Sequence, residues 1–268
     1  MMQNKLNAPK IVLFGAGNVA VHLADALVYA GYQIVQVYSR TLESAQPLAE
    51  RVYARAITNI SDIDLTPDVF VFCLNDNGLV DVVDKVQFSG QLALHTSGTM
   101  PLDIFKGKTE NYGVLYPLQT FSKFRKVNFK EIPLIIEASS PRDLVNIRQL
   151  AGLLSLKVII ADSVMRRKIH LAGVFASNFS NHMYLISEML VKQTGLSFEI
   201  LKPLIYETTL KAIESGNPSA SQTGPAIRGN NIIIDKHLEM LSSLPDLKQL
   251  YNLITDNIIQ SHSNTTII

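Results

Sequence analysis

The chain has 268 residues, of which 47% are hydrophobic and 18% are charged, so it has enough apolar side chains for a large core and does not have the composition of a disordered protein. Its 24 basic and 23 acidic residues leave a net charge of +1, which argues against a nucleic-acid or membrane-surface partner. The single cysteine, Cys73, excludes an internal disulfide. No stretch approaches the ~18 apolar residues of a membrane span, and the first ten residues lack the apolar core of a signal peptide. We therefore expect a cytoplasmic protein.

Short apolar runs alternate with helical patterns in the first part of the chain. The strand KIVLF (10–14) precedes apolar residues at helical spacing over 18–30, and QIVQVYS (33–39) precedes a helix over 41–53. Further strands are predicted at 68–74, 91–97, 112–118, 132–139 and 157–162, and further helices at 78–86 and 141–154. This alternation predicts an α/β fold with a mainly parallel, doubly wound sheet.

The pattern changes after Asp162. One long helix is predicted over 163–195, followed by helices over 197–214 and 236–260 that are separated by the loop SGNPSASQTGPAIRGNN. We therefore predict two domains, residues 1–161 and an all-helical domain over 162–268. A helix of this length in a small domain needs an extensive partner surface, so we expect a homodimer formed through the helical domain.

A glycine turn lies between the first strand and the first helix. Gly15, Gly17 and Ala20 form the pattern G-x-G-x-x-A, in which the first glycine permits a tight turn and the second lets a pyrophosphate approach the backbone. The small third residue lets helix and strand pack closely, and the N–H groups at the start of the helix face the phosphates. The predicted dinucleotide contacts are Gly15, Ala16, Gly17, Asn18, Val19 and Ala20. The alternative is a tight turn that binds nothing.

The residues after the second strand indicate which dinucleotide would bind. NAD sites place Asp or Glu there to hold the ribose 2′-hydroxyl, whereas this chain has Ser39, Arg40 and Thr41. A guanidinium and two hydroxyls suit a 2′-phosphate, so we predict NADP(H) as the cofactor, bound by these three residues. Arg40 could instead be a solvated loop residue.

Two later strand ends should line the same crevice, because ligands bind beyond the carboxyl ends of parallel strands. In CLND (73–76) we predict cofactor contacts from Leu74 and Asn75, and in HTSGT (95–99) from Thr96 and Ser97. His95 is either a catalytic residue or a hydrogen-bonded histidine at a strand end. Cys73 is assigned to the core, because no base is paired with it.

The segments LFGAGNVA, YSRT, HTSGT, YPLQTF, HLAGVFASNFSNHM and TGPAIRGN together extend over nearly the whole chain. In these segments the sequence resembles the bacterial two-domain proteins labelled NADP oxidoreductases, and it is more distantly similar to pyrroline-5-carboxylate reductase, ketopantoate reductase and the β-hydroxyacid dehydrogenases. The resemblance implies a Rossmann-type domain that holds a nicotinamide cofactor and a helical C-terminal domain of unknown function, whose long helix closes the site.

The β-hydroxyacid dehydrogenases carry a catalytic lysine on the long helix, and the resemblance places Asn178 at that position. His170, Ser177, Asn178 and Asn181 have offsets of 0, 7, 8 and 11, which predicts that they share one helix face. We predict that His170 protonates a carbonyl or imine and that Asn178 and Asn181 hold the substrate. Alternatively, these residues form a polar stripe that satisfies neighbouring backbone groups.

In the loop TGPAIRGN (223–230), Thr223 and Arg228 could contact an anionic group of the substrate or the cofactor phosphates. The alternative is a rigid turn in which Arg228 forms a salt bridge at an interface. Tyr116 and Gln119 of YPLQTF are secondary site candidates. No His, Cys, Asp or Glu residues have the spacing of metal ligands, so no metal is predicted.

These features predict an NADP(H)-dependent oxidoreductase that transfers hydride to or from a small carbonyl, imine or hydroxyl substrate between the domains. The alternative is a non-catalytic protein that binds NADP(H) as a redox signal, a hypothesis favoured by the missing lysine. A third possibility is that coenzyme F420 takes part.

Overall fold

The computed structural model describes residues 8–263, and an eight-stranded sheet forms the centre of its first part. The strands are β1 (Lys10–Phe14), β2 (Gln33–Tyr38), β3 (Arg55–Ile57), β4 (Val69–Phe72), β5 (Leu92–His95), β6 (Tyr112–Pro117), β7 (Leu134–Ala138) and β8 (Val158–Ile160). Their order in the sheet is β3-β2-β1-β4-β5-β6-β7-β8. All neighbouring pairs are parallel except β6 and β7, which are antiparallel, so the predicted mainly parallel sheet is confirmed.

The strands bury side chains on both faces of the sheet, because helices cover both sides. Along β1, Ile11 and Leu13 belong to the core on one face, while Val12 and Phe14 belong to the core on the other. Phe14 stacks on Phe72 of the adjacent β4 with ring centroids 4.2 Å apart. Residues 11–14 are therefore continuously apolar because neither face of the strand meets water there, whereas Lys10 at its start is exposed.

The sheet reverses its strand order at β1. Strands β2 and β3 extend from β1 in one direction, and β4 to β6 extend in the other, so β1 and β4 lie at the switch point where α/β folds bind ligands. Strand β3 has only three residues and was not predicted from the sequence. It pairs with the end of β2, where Tyr38 is opposite Ile57. This is the Rossmann-type arrangement that the sequence predicted.

Four helices connect these strands: α1 (Asn18–Tyr29), α2 (Leu42–Arg51), α3 (Asp76–Val83) and α4 (Pro141–Leu154). Helix α4 has the predicted bounds and begins at a proline after Ser140, whose hydroxyl accepts a hydrogen bond from the backbone N–H of Asp143 at 3.1 Å. Gly31 follows α1 with a φ of 95°, a left-handed conformation that ends the helix.

The predicted long helix is present with an irregularity. It consists of α5 (Ser163–Gly173), a π-helical segment (Val174–Phe179) and α6 (Ser180–Lys192), with helical backbone at both junctions. A π turn closes hydrogen bonds between residues five apart and so holds one more residue than an α turn. Such segments occur frequently at functional sites. No feature of the sequence predicted it.

Three further helices complete the described chain: α7 (Lys202–Glu214), α8 (Asn231–Met240) and α9 (Pro245–Ser263). The prediction of one helix over 236–260 is wrong, because the chain breaks between α8 and α9. Pro245 has no N–H to donate and its ring would collide with the carbonyl of residue 241 in a continuous helix, so it can only begin a new one.

The chain divides into two compact units between Met183 and Tyr184. The last strand, β8, ends at Ile160, and the elements from Ser163 to Ser263 are helices. The predicted boundary at residues 161 and 162 follows this change of element type rather than the division into compact units, and it stays a prediction. No helix within residues 8–263 is long and apolar enough to cross a membrane.

Candidate functional site

The turn between β1 and α1 requires glycine at its first position. Gly15 has a φ of 107°, and its N–H donates a hydrogen bond of 2.7 Å to the carbonyl of Tyr38 at the end of β2. A Cβ atom on residue 15 would lie 2.3 Å from the carbonyl oxygen of Cys73, just after β4. The turn is therefore enclosed between the ends of β2 and β4, and a side chain at this position has neither an allowed conformation nor space.

The second glycine of the turn lies in open space. Gly17 caps α1 with an ordinary φ of −78°, and a Cβ atom there would meet nothing within 4 Å. No side chain caps α1, so the N–H groups of its first turn are available to an anionic ligand. Ala16 and Ala20 are buried, Ala20 completely, whereas Asn18 is exposed and Val19 half-buried.

The residues after β2 present one free cation beside this turn. Arg40 is exposed, and within residues 8–263 its guanidinium has neither a salt bridge nor a hydrogen bond. The N–H of Ser39 donates to the carbonyl of Ile57 at 3.1 Å, so β3 holds the start of this segment. Thr41 caps α2 through its backbone, and its hydroxyl donates to Ser44 at 3.1 Å.

At the end of β4, Leu74 is half-buried and Asn75 is exposed. The side-chain oxygen of Asn75 accepts a hydrogen bond of 2.8 Å from the N–H of Gly78 and so caps α3. Both residues follow a strand that adjoins β1, and Leu74 lies near the glycine turn, because its Cδ2 would be 3.2 Å from a Cβ atom on Gly15.

The loop after β5 is held by an internal hydrogen-bond network. The Ser97 hydroxyl donates to Asp76 at 2.8 Å and accepts from the N–H groups of Thr99 and Met100 at 3.1 and 3.0 Å. The Thr96 hydroxyl donates to the carbonyl of Phe72 at 3.3 Å. Thr96 and Ser97, which the sequence predicted as cofactor contacts, therefore use their hydroxyls in hydrogen bonds that fix the conformation of this loop.

His95 and Cys73 lie in the interior. The His95 side chain is completely buried, and its Nδ1 accepts from the N–H of Ser97 at 3.2 Å. Burial, together with the positive charge of Arg166, lowers the pKa of His95 to about 3. Burial also raises the pKa of the Cys73 thiol to about 12. Of the two alternatives for His95, the burial and the hydrogen bond favour the hydrogen-bonded histidine at a strand end over a catalytic residue.

An open cleft of about 620 Å³ lies between the end of β6 and the long helix. Its lining has no Asp, Glu, Lys or Arg side chain. The polar groups in it come from two elements, the segment after β6 and the helix α5 with its π-helical continuation; they are Tyr116, Gln119, Thr120, His170, Ser177 and Asn178. This composition suits a small uncharged molecule with hydrogen-bonding groups.

Tyr116 and His170 form a pair in this cleft. The Tyr116 hydroxyl and Nδ1 of His170 are 3.0 Å apart, and both side chains are half-buried. A Cβ atom on Gly98 would lie 2.6 Å from that nitrogen and 2.9 Å from the ring of Tyr116. Glycine at this position therefore lets the loop after β5 pack directly against both rings.

A buried arginine, Arg166, lies on the same helix as His170 and anchors the start of that helix. The Arg166 side chain is completely buried, and its Nη1 lies 2.8 Å from the Glu137 carboxylate on β7. Its Nη2 donates to the Met100 carbonyl and to the Ser163 hydroxyl. Ser163 also donates to Glu137 at 2.8 Å. The start of α5 is thereby joined to β7 and to the loop that carries Gly98.

Of the other residues predicted on the long helix, only some line this cleft. Asn178 and Ser177 belong to the π-helical segment and line the cleft, whereas Asn181 follows that segment, is exposed and is absent from the lining. The extra residue of the π turn alters the face that later residues present. Thr223 and Arg228 are exposed in the second compact unit. No group of residues within 8–263 could hold a metal ion.

Sequence reasoning did not identify Gly98, Glu137 or Arg166 as parts of this site. One signal was available for Arg166, which lies four residues before His170 and hence on the same helix face. The positions of Gly98 and Glu137 depend on strand pairing, which no local pattern reveals.

Comparison with known protein families gives two matches, which cover different segments of the chain. Residues 10–96 match the family described as NADP oxidoreductase coenzyme F420-dependent, and residues 132–258 match a domain of unknown function, DUF2520. No curated protein matched the sequence.

Several solved structures share the fold. A protein from Bacteroides fragilis that is provisionally named an NADP oxidoreductase is 42% identical, with a TM-score of 0.89 and coverage of 94% of this chain and 98% of its own. A reductive aminase from Aspergillus terreus, solved with NADPH and ethyl levulinate, is 15% identical, with a TM-score of 0.68 and coverage of 94% and 95%. Pyrroline-5-carboxylate reductase from Streptococcus pyogenes is 15% identical, with a TM-score of 0.59 and coverage of 95% and 99%.

The reductive aminase and pyrroline-5-carboxylate reductase, each 15% identical, show a shared fold alone. The Bacteroides fragilis protein combines 42% identity with nearly complete coverage of both chains. The sequence-based resemblance, including the distant similarity to pyrroline-5-carboxylate reductase, is confirmed. This chain belongs to the family of two-domain NADP oxidoreductases, and the predicted cofactor NADP(H) is the cofactor of that family.

Proposed function

We propose that this protein transfers hydride between NADP(H) and a small carbonyl, imine or hydroxyl substrate. The observation that carries the proposal is the glycine turn at the switch point of the sheet, where Gly15 is enclosed and Gly17 is open. The cofactor, when bound, supplies the hydride from C4 of its nicotinamide, so the protein must bind it, orient the substrate and handle one proton.

The residues around the turn fit NADP(H). The open space over Gly17 and the uncapped start of α1 suit a pyrophosphate, and the free guanidinium of Arg40 suits the 2′-phosphate. Leu74 and Asn75 stay our candidates for contacts to the cofactor beyond the pyrophosphate. Ser39 and Thr41 stay candidates for the adenosine side.

The cleft beside β6 is the proposed substrate site. Asn178 and Gln119 can orient a carbonyl or imine through their amides, and His170 and Tyr116 are the titratable groups in the lining. Because the cleft lining has no Asp, Glu, Lys or Arg side chain, we expect the part of the substrate that lies in this cleft to be uncharged. Asn181, Thr223 and Arg228 stay predicted substrate contacts that this cleft does not include.

The proposed cofactor preference can be tested by calorimetry with NADPH and NADH. Replacing Arg40→Ala should weaken NADPH binding by about 1.5–3 kcal/mol, the value of a hydrogen bond to a charged group, and leave NADH binding nearly unchanged. Arg148→Ala, an exposed arginine on α4, is the matched control and should alter neither. Equal losses for both nucleotides in Arg40→Ala would contradict the assignment of the 2′-phosphate.

The reaction can be tested by following NADPH absorbance with a panel of ketones, aldehydes and ketone–amine mixtures. Turnover that is lost in His170→Ala and reduced in Asn178→Ala supports the proposal. Tight NADPH binding with no turnover of any compound would favour the rival function, a redox sensor, which the absence of a lysine at position 178 motivates.

A further inference from the structure

We propose that Tyr116 is the source of the proton delivered to the substrate, and that His170 passes it on as a neutral imidazole. The inference rests on the proposed function and identifies the acid within the same cleft. It extends the sequence-based hypothesis, in which a protonated His170 acts alone.

The geometry joins the two side chains into one unit. The Tyr116 hydroxyl is 3.0 Å from Nδ1 of His170, and the rings meet edge to face with centroids 6.0 Å apart. Within the described chain, Nε2 of His170 has no hydrogen-bond partner. The hydroxyl can therefore donate to Nδ1 while the other nitrogen, which carries the hydrogen of that tautomer, remains available to a substrate in the cleft.

Gly98 keeps this pair in place. With Cβ distances of 2.6 Å to Nδ1 of His170 and 2.9 Å to the Tyr116 ring, any side chain at position 98 would push the two rings away from the loop. The loop itself is held by Ser97 and Asp76 on one side and by Arg166 on the other. The rings are thus packed against a rigid backbone.

Burial and the charge of Arg166 act on the pKa of Tyr116 in opposite directions. Burial raises the pKa of Tyr116, so the hydroxyl is protonated at neutral pH, while the positive charge of Arg166 acts in the opposite direction and stabilises the phenolate. The charged groups around Arg166 and His95 come from three elements. They are Arg166 and Arg167 on α5, Glu137 on β7 and Asp76 on α3, with the neutral His95 on β5.

In the reducing direction, hydride adds to the carbonyl or imine carbon and the π electrons move to the heteroatom, which takes the proton from Nε2 of His170. Nδ1 takes the hydroxyl proton of Tyr116, so the imidazole stays neutral and a phenolate remains beside Arg166. Water in the open cleft then protonates Nε2 of His170, and Nδ1 returns its proton to the Tyr116 phenolate, which restores the starting tautomer.

The pH profile of kcat/KM for NADPH oxidation distinguishes this relay from an imidazolium acid. The assay uses the carbonyl or imine that reacts fastest in the panel, between about pH 6 and about pH 9. A neutral relay predicts a flat profile for the unchanged protein. An imidazolium acid predicts a decline of about tenfold per pH unit above the titration of histidine.

The variant Tyr116→Phe keeps the ring and removes the hydroxyl. Its kcat/KM at neutral pH should fall by about 10²- to 10⁴-fold, the usual contribution of a general acid, and its residual activity should now decline as pH rises, because only imidazolium can donate. Tyr112→Phe is the matched control on the same strand and lies outside the cleft, so it should keep both the activity and the flat profile.

The inference would be overturned if kcat/KM of the unchanged protein declined as pH rises. It would also be overturned if Tyr116→Phe had a kcat/KM within about twofold of the unchanged protein and the same pH profile. Either result would leave the proposed function standing. Failure of every panel compound to react would instead refute the proposed function and this inference with it. NADPH binding, measured by calorimetry, serves as the control for folding. Each folded variant should bind NADPH as the unchanged protein does, because the proposed cofactor contacts are not altered.

Discussion

Gly15 and Gly17 are two residues apart and face different constraints. Gly15 is required by the fold, since its φ of 107° and the neighbouring carbonyl of Cys73 exclude a side chain. Gly17 has an ordinary conformation and no neighbour within 4 Å, so only a ligand would need it to lack a side chain. One sequence motif thus combines a glycine that the fold requires with a glycine that we propose lies against the cofactor.

Alanine substitutions should separate these roles. Gly15→Ala should destabilise the protein by at least about 1–2 kcal/mol, the strain of a left-handed residue, with a further cost from the clash. Gly17→Ala should leave the thermal midpoint nearly unchanged and still abolish NADPH binding. The measurements are thermal unfolding and calorimetry. A Gly17→Ala variant that binds NADPH normally would mean that the pyrophosphate does not lie there.

His95 makes stability depend on pH. Its pKa is about 3 in the folded protein, against about 6.5 in an unfolded chain, so between these values only the unfolded state binds the proton. The free energy of unfolding should therefore decrease as the pH falls from about 6.5 towards about 3, by up to about 1.4 kcal/mol per pH unit.

Urea unfolding at neutral and acidic pH, compared between the unchanged protein and His95→Asn, measures this contribution. The asparagine oxygen can still accept a hydrogen bond from the N–H of Ser97 and does not titrate, so the variant should lose less stability in acid. Equal acid sensitivity of the two proteins would show that other groups cause the effect.

Three elements of the first unit are joined through Arg166. Its guanidinium links α5 to β7 through Glu137 and to the loop after β5 through the Met100 carbonyl, and a buried charge of this kind is tolerated only with such partners. The π-helical segment begins two turns later and carries Asn178 into the cleft. The position of the helix at the site therefore depends on a buried ion pair and on an irregular turn.

Removing one member of this ion pair should be costly. Arg166→Met leaves Glu137 partly buried and unpaired, so we expect a loss of about 3–5 kcal/mol in the free energy of unfolding. Adding Glu137→Gln should recover part of that loss, because no unpaired charge then remains. Urea unfolding of the two single variants and the double variant tests this. Simple additivity would show that the two side chains do not interact energetically.

The helices of the second unit expose many large apolar side chains. On α7, α8 and α9, and in the segments before them, the exposed residues include Ile200, Leu204, Ile213, Ile232, Met240 and Leu253. A soluble monomer rarely exposes so many together, and a symmetric dimer can bury the same surface of both copies at once. We therefore propose that the predicted homodimer forms through these helices.

Light scattering should give a mass close to twice that of the 29.7 kDa chain. The double variant Leu204→Glu and Ile213→Glu should shift the protein towards the monomer, because four charges would have to be buried in the dimer. Phe124→Ser, which alters a fully exposed aromatic residue of the first unit, is the control and should keep the dimer. A monomeric unchanged protein at micromolar concentration would refute the proposal.

The sequence by itself determined the parts that depend on local periodicity and backbone chemistry. Apolar runs predicted seven of the eight strands, and the spacing of Gly15, Gly17 and Ala20 predicted the tight turn between β1 and α1, because a strand, a tight turn and a helix start are encoded within about ten residues. The place of Arg40 after β2 could likewise be read from the sequence, and its binding role stays a prediction.

Only the tertiary structure decided which distant residues meet. The burial of His95 and the use of Ser97 within its loop depend on strand pairing and on Asp76, 21 residues away. The Tyr116–His170 pair joins residues 54 apart, and it forms because Gly98 lacks a side chain. The break at Pro245 was readable from the sequence, whereas the π turn was not, since packing rather than local propensity sets how many residues a helical turn holds.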